Sequence, residues 1–162
     1  MRKWLRYFEE VPTPAIRVPS FNEYIVVRYQ NMSEEEYNAL ADRHPVRKHF
    51  YKRLGAKRFS QAETEEAMDR LQQSIDRVEK ALAENGGPWI MGEQFTNADI
   101  CLIPTIDRLE DLGYAHMWED GRPNFTAWWK AVKARPSFAK TYYKGTRLTE
   151  LYTEKNKAQA AE

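Results

Sequence analysis

The sequence has little of what marks several specialised classes of protein. It contains one cysteine, Cys101, so no disulfide can form within the chain, and we expect a reducing, cytoplasmic setting. No uncharged run approaches the length of a membrane span, and we expect no membrane association. The opening MRKWLRYFEE is charged throughout, which is not typical of a secretory signal peptide. These shortages favour an ordinary globular domain.

An excess of charge of either sign is also lacking. Lys and Arg number 25 and Asp and Glu number 24, so no general attraction to nucleic acid or to an anionic membrane is expected. The stretch Arg43–Arg58 is an exception, because it holds seven basic residues and no acid. With the acidic run Glu34–Glu36 just upstream, a solvated helical face is the preferred interpretation. An anion-binding or partner-binding face is the alternative, and we expect no nucleic-acid partner.

What is present is helical periodicity, without the alternation that marks a sheet. The pattern predicts helices over 1–10, 21–29, 34–43, 45–54, 60–84, 97–112, 124–134 and 137–143. We expect an all-α bundle of five or six helices, in which residues 1–145 form one domain and 146–162 a tail that begins helical and then frays. Three prolines, Pro12, Pro14 and Pro19, are expected to break or kink the first helix. Ser20 with Glu23 predicts a capping box for the segment that follows.

The most apolar run begins at an acidic residue, Asp99. Thr96 and Asp99 have the spacing of a capping box, and Phe95 with Ile100 that of a hydrophobic staple. A catalytic carboxylate needs a partner base, nucleophile or metal, and the sequence offers none nearby. We therefore predict that Thr96 and Asp99 are a structural cap. The helix they begin, about 97–112, is apolar on more than one face and is predicted to be central and buried.

Other chemistry-bearing residues favour structural roles. His44 and His49 lack neighbouring ligands at metal-binding spacing, so no metal site is predicted. Cys101 lies on the apolar helix, and a small core side chain is its expected role. Trp128 is expected to point inward and its neighbour Trp129 to be partly exposed.

The run from Trp89 to Tyr143 resembles the C-terminal helical domain of glutathione transferases. The residues that carry this resemblance are Gly92, the run Phe95-Thr96-Asn97-Ala98-Asp99-Ile100, Pro104, Leu109, Pro123, Trp128 and the run Ala134-Arg135-Pro136-Ser137-Phe138. In that family the Thr-x-x-Asp box caps the central helix. The opening helix is most similar to bacterial members, including the glutathione-dependent β-aryl etherases.

The resemblance implies a divided active site. Family members begin with a thioredoxin-like domain that activates the glutathione thiol, and nothing in this sequence corresponds to it. The start at a helix is therefore expected to lie partway through a longer protein, or to belong to a short gene product or fragment. We expect no catalytic residue in this chain, and glutathione, the cosubstrate of the family, is not expected to bind tightly to it alone.

The resemblance also implies where a hydrophobic small molecule would bind. The candidate wall consists of Trp4, Tyr7, Phe8, Val11, Tyr114 and Trp118, with Tyr152 as a further candidate. The alternative is that these aromatic residues are core or dimer contacts. A homodimer or a thioredoxin-like domain is the expected partner. Two other functions of the same fold stay open, namely a non-catalytic protein-interaction module and a carrier of hydrophobic ligands.

Overall fold

The protein is described from a computed structural model, which covers residues 1–29, 31–46, 48–55 and 57–152. Apart from one isolated bridge between Trp89 and Gly92, the regular structure in these ranges is helical. The helices are α1 (Arg2–Glu10), α2 (Pro12–Ala15), α3 (Arg17–Ser20), a π-helix (Phe21–Ile25), a 3₁₀-helix (Val26–Arg28), α4 (Glu34–Asp42), α5 (Lys48–Leu54), α6 (Gln61–Asn85), α7 (Asn97–Asp111), α8 (His116–Glu119), α9 (Pro123–Lys133) and α10 (Pro136–Thr141). Residues 148–152 are also helical.

The predicted all-α class is confirmed. Six helices of the described chain have seven or more residues (α1, α4, α5, α6, α7 and α9), which agrees with a bundle of five or six. The longest, α6, begins where Ser60 and Glu63 exchange hydrogen bonds and ends at Gly86, whose φ of 66° suits glycine. The predicted frayed end of the tail, 153–162, lies outside the described residues.

The prolines near the N-terminus break the helical path, as expected. α1 ends at Glu10, and Pro12 begins the separate short helix α2, where its missing backbone donor is not needed. The predicted cap at Ser20 is wrong, because Ser20 lies in helical backbone and its side chain makes no cap hydrogen bond. Its hydroxyl donates to the Ile16 carbonyl over 2.7 Å, and Glu23 instead accepts from the Tyr114 hydroxyl over 2.6 Å.

The core lies where α6, α7 and α9 meet. The stripe that α6 contributes is Ala67, Leu71, Ile75, Val78 and Leu82, each 5% exposed or less. From α7 come Leu102, Ile106 and Leu109, and from α9 come Phe125, Trp128, Trp129 and Val132. Each set has the steps of three and four that place side chains on one side of a helix.

Trp129 is 2% exposed, so the expectation of a partly exposed side chain is wrong. Two neighbours explain its burial. The ring of Phe138 on α10 meets it edge-on with a centroid distance of 5.5 Å, and its indole N–H donates to Glu110 over 3.0 Å. Trp129 follows the inward-facing Trp128 on α9, and α10 covers the neighbouring face of α9, so both side chains are buried.

The Asp99 carboxylate is fully buried and accepts hydrogen bonds from three separate parts of the chain. Its Oδ2 accepts from the Thr96 N–H over 2.8 Å, at the start of α7. Its Oδ1 accepts from the Ile90 N–H over 3.0 Å and from the indole N–H of Trp128 over 2.9 Å. The Thr96 hydroxyl accepts from the Ala98 N–H over 3.2 Å. Asp99 thereby joins the loop before α7, the start of α7 and the middle of α9.

The helix that Thr96 and Asp99 cap, α7, is buried on one side only. Ile100, predicted as part of a staple with Phe95, is 50% exposed. Phe95 packs instead against the ring of Trp89, with a centroid distance of 4.8 Å, and under the guanidinium of Arg135 at 3.7 Å. The expectation that α7 is buried on more than one face is therefore corrected, since its second face borders a cavity.

Replacing Asp99 should destabilise the fold severely. Asp99→Ala leaves three buried donors without an acceptor, and we expect a loss of about 3 to 5 kcal/mol in the free energy of unfolding. Trp128→Phe removes one donor but leaves the carboxylate with two, so it should cost about 1 kcal/mol beyond the packing change. Urea denaturation followed by circular dichroism measures both. Asp69→Ala, an exposed position on α6, is the matched control, and an equal effect of Asp99→Ala and Asp69→Ala would contradict this role.

Candidate ligand-binding cavity

A cavity of about 800 Å³ opens beside α7. One wall comes from the N-terminal helical path between Thr13 and Tyr29, which includes the π-helix. The opposite wall is α7, and Val46, Tyr51 and Tyr152 complete the lining. The volume lies within the range typical of small-molecule sites.

The wall from α7 is a single stripe. Cys101, Pro104, Thr105 and Arg108 recur at steps of three and one, so they share one side of the helix. Facing them, the π-helix supplies Phe21 and Ile25 among the lining residues. Short π-helical turns are rare and are frequently found at functional sites.

The lining is chemically mixed. Its apolar surface comes from Ile16, Phe21, Ile25, Val46 and Pro104, and its aromatic hydroxyls from Tyr29, Tyr51 and Tyr152. Burial raises the pKa of the Tyr29 phenol, so that group is neutral at physiological pH. Three guanidinium groups also line the cavity, those of Arg17, Arg28 and Arg108, and no carboxylate is among the described lining residues.

Arg28 joins the two ends of the described chain at the cavity. Its guanidinium donates to the Tyr152 hydroxyl over 3.3 Å, and this hydrogen bond is the main cause of the raised pKa of Arg28. The ring of Tyr152 meets that of Tyr24 edge-on at a centroid distance of 6.5 Å. Tyr152 is thus held over one side of the cavity by two residues of the N-terminal path.

The segment before Tyr152 is fixed to the end of α7. The Asp111 carboxylate accepts from the Leu148 N–H over 2.9 Å and from both the hydroxyl and the N–H of Thr149. Arg147 donates to Asp107 over 2.7 Å. Burial raises the pKa of Asp107, while the hydrogen bond and charge of Arg147 act in the opposite direction. These contacts determine where Tyr152 lies.

The wall residues predicted from the sequence lie elsewhere. Trp4 and Tyr7 pack beside α6, where the Arg77 guanidinium lies 5.2 Å and 4.2 Å from their ring centroids. The Tyr7 hydroxyl donates to Ser74 Oγ over 3.0 Å, because that hydroxyl already donates to the Arg70 carbonyl. These contacts give the two aromatic rings a role in joining α1 to α6.

The remaining predicted residues are also outside the cavity lining. Phe8 and Trp118 are each 1% exposed and belong to the core, so neither presents a surface to a ligand in this structure. Val11 and Tyr114 are half-buried. Burial and the bond to Glu23 raise the pKa of Tyr114 to about 12. Of the seven candidates, Tyr152 alone lines the cavity, and a substrate role for the other six stays a prediction.

The sequence pattern alone does not single out Arg28 and Arg108 as cavity residues. Arg108 had a usable signal, since it lies seven residues after Cys101 and four after Pro104, on a stripe that interrupts an otherwise apolar helix. Arg28 has no such signal in the sequence, because its position depends on the π-helix before it, which no spacing rule predicts. Cys101 is exposed, so its expected place in the core is wrong.

The basic stretch Arg43–Arg58 uses several of its charges in local contacts. Lys48 and Lys52 both lie within 3 Å of Asp42 Oδ1, at 2.8 and 2.9 Å. The ring of His44 stacks on that of Tyr51 with a centroid distance of 4.8 Å. These contacts tie the stretch to α4 and to one edge of the cavity.

In the part of the chain that the structure describes, no group of three or more His, Cys, Asp or Glu side chains has an arrangement that would hold a metal ion. None of the helices described combines the length and the apolar character needed to cross a bilayer.

Comparison with known families finds a match in the middle of this chain. Residues 61–131, which include α6, α7 and most of α9, match the family described as glutathione S-transferase, C-terminal domain. The match takes in the cap at Thr96 and Asp99 and the stripe of α7 that lines the cavity.

Two curated proteins show the same relationship. The 2,5-dichlorohydroquinone reductive dechlorinase of Sphingobium indicum is 33% identical over 73 residues, which are 44% of this chain and 21% of that protein. Glutathione S-transferase TCHQD of Arabidopsis thaliana is 34% identical over 82 residues, 49% of this chain and 30% of that protein. The matched part of this chain therefore spans less than a third of the length of either relative.

Among solved structures, beta-etherase LigF from Sphingobium sp. strain SYK-6 has a similar fold. The TM-score is 0.69, the identity is 22%, and the alignment covers 86% of this chain and 59% of the other. At this identity the likeness concerns the fold.

The exposure of Cys101 has a direct chemical consequence. Ellman's reagent should react with one thiol per native chain about as fast as it does in urea, since Cys101 is open to solvent. Cys101→Ser should abolish the signal. A native reaction that is orders of magnitude slower than in urea would show that the thiol is buried after all.

The contacts of Asp111 predict protection of the C-terminal segment from protease. In Asp111→Ala, Leu148 and Thr149 lose their acceptor on α7, and trypsin should cleave after Arg147 several times faster than in the parent protein. Mass spectrometry identifies the cleaved bond. Asp69→Ala should leave the rate unchanged, and equal rates for Asp111→Ala and the parent would show that Asp111 does not hold the segment.

Proposed function

We propose, from the premise that residues 61–131 belong to the glutathione S-transferase C-terminal domain family, that this chain provides the hydrophobic-substrate site of a glutathione-dependent enzyme. The observation that carries the proposal is the cavity beside α7. It combines aliphatic and aromatic surface with a few polar groups, which is the usual composition of a site that binds small organic molecules.

The proposed reaction divides the work between two domains. A glutathione thiolate attacks an electrophilic carbon of the substrate, a carbon–sulfur bond forms, and the leaving group departs with the electron pair. Hydrogen bonds to the sulfur are needed to lower the thiol pKa, and in this family a thioredoxin-like domain supplies them. The present chain then holds the electrophile, with glutathione as cosubstrate and without tight binding of glutathione to this chain alone.

The names of the relatives support displacement chemistry of this kind. One is named a reductive dechlorinase of a chlorinated hydroquinone, and the structural neighbour is named a beta-etherase. Either halide or aryloxide would leave in the step described. Replacement of chlorine by hydrogen needs a second step, in which another glutathione thiolate attacks the bound sulfur, a proton adds to the carbon and glutathione disulfide leaves. Conjugation and ether cleavage are both compatible with the cavity, and we also propose the cytoplasmic location and the homodimer that the family resemblance implies.

A second function is favoured by one observation. The lining of the cavity combines apolar side chains such as Phe21 and Ile25 with the tyrosine hydroxyls of Tyr29 and Tyr152, and such a surface can hold a ligand without any reacting group. This supports a non-catalytic module that carries a hydrophobic ligand. The two functions differ in whether glutathione is consumed.

A fusion experiment tests the enzymatic function. A thioredoxin-like domain from a bacterial glutathione transferase is joined ahead of Met1, and conjugation of 1-chloro-2,4-dinitrobenzene is followed by absorbance. We expect turnover by the fusion and none by the unfused chain. Cys101→Trp places a large ring in the cavity without changing its charge. It should raise KM for the electrophile about tenfold or more, because less space remains for the substrate.

The adjacent substitution Ile100→Trp is the matched control. Ile100 is half exposed on the same helix but is outside the cavity lining, so KM should not change. A folded, glutathione-binding fusion without turnover would favour the carrier function. Equal KM values for Cys101→Trp and Ile100→Trp would show that substrate binds elsewhere.

A further inference from the structure

Two arginine side chains line the cavity from its opposite walls. Arg28 belongs to the N-terminal path and Arg108 to α7, and the described lining includes no Asp or Glu. The chain as a whole is close to neutral, with a net charge of +1, so two cationic groups at one cavity are a local feature. Both groups would attract an anion bound between the walls.

Neighbouring carboxylates that would neutralise the cavity are engaged in other contacts. On the π-helix, Glu23 accepts from Tyr114 over 2.6 Å. On α7, Asp107 pairs with Arg147 at 2.7 Å, and Glu110 accepts from Trp129 and Lys133 over 3.0 and 2.6 Å.

The Asp111 carboxylate is likewise committed to the segment 147–149. It accepts from Leu148 and Thr149, and its closest approach to the Arg108 Nε is 3.9 Å, beyond hydrogen-bond distance. The Arg108 side chain stays 33% exposed. Arg108 thus keeps a long ion pair with Asp111, while its partly exposed side chain also lines the cavity, where a ligand can reach it.

Apolar surface lies between the cationic groups. The ring of Phe21, the side chain of Ile25 and Pro104 line the same space as Arg28 and Arg108. A planar aromatic ring fits such a surface, and guanidinium groups bind carboxylates through parallel N–H donors. The two features together describe one kind of ligand, an aromatic ring that carries a carboxylate.

We propose that the cavity selects aromatic carboxylates, with the ring against Phe21, Ile25 and Pro104 and the carboxylate on Arg28 and Arg108. The inference rests on the proposed function, because it names the substrate class of that same cavity. It adds a requirement that a purely hydrophobic site does not have, namely a negative charge on the ligand.

The test compares two ligands of nearly equal shape. 2-Naphthoate is an anion at neutral pH and 2-naphthamide is its uncharged counterpart. Calorimetric titration of the whole chain should give a dissociation constant about tenfold or more lower for naphthoate, and the difference should shrink as salt is added. Bound naphthoate should also slow the reaction of Cys101 with Ellman's reagent, because Cys101 lines the cavity.

Single substitutions test whether Arg28 and Arg108 are the groups that bind the carboxylate. Arg28→Gln and Arg108→Gln should each weaken naphthoate binding about five- to tenfold and leave naphthamide binding unchanged. Arg70→Gln is the matched control, because Arg70 lies on α6 and pairs with Glu66 away from the cavity, and it should change neither. Circular dichroism verifies that each variant is folded.

The outcomes separate this proposal from the proposed function. Equal affinities for naphthoate and naphthamide, with Cys101 protected by both, would overturn the anion requirement and leave the hydrophobic site intact. No binding and no protection by either compound would overturn both. Displacement of naphthoate by millimolar glutathione, with the same dependence on Arg28 and Arg108, would assign the arginines to glutathione and overturn selection of an aromatic acid.

Discussion

The buried carboxylate of Asp99 holds three parts of the chain together. It accepts from the backbone of Thr96 and Ile90 and from the indole of Trp128, which belong to three different segments. Because a buried polar group without partners is costly in an apolar interior, the carboxylate favours the packing in which these three donors reach it. The start of α7 is thereby fixed in position, and so is the direction in which its two faces point.

Those two faces of α7 have different tasks. One face, with Leu102, Ile106 and Leu109, packs in the core. The other, with Cys101, Pro104 and Arg108, borders the cavity. The far end of the helix holds the segment 147–149 through Asp107 and Asp111, and this places Tyr152 opposite Arg28. A single helix thus connects the stability of the bundle to the shape of the proposed site.

Signals between near neighbours in sequence predict the helices. The cavity depends on contacts between residues that are far apart in sequence. Caps and turn residues predicted most helix bounds within a few residues, since these depend on near neighbours in sequence. After α6, Gly87 lies against the Gly92 backbone where no side chain fits, and that approach involves packing that no local signal predicts. Trp129 and Cys101 were misplaced because burial depends on which other helix covers a face. Arg28 could not be found, because the π-helix places it.

Hydrogen exchange at two N–H groups tests the central role of Asp99 most directly. NMR would follow the backbone amide of Ile90 and the indole N–H of Trp128 in the native chain. We predict that both groups exchange only through global unfolding, with a free energy equal to that from urea denaturation. Exchange of either group through a small local opening, while the amides of α6 stay protected, would contradict this prediction.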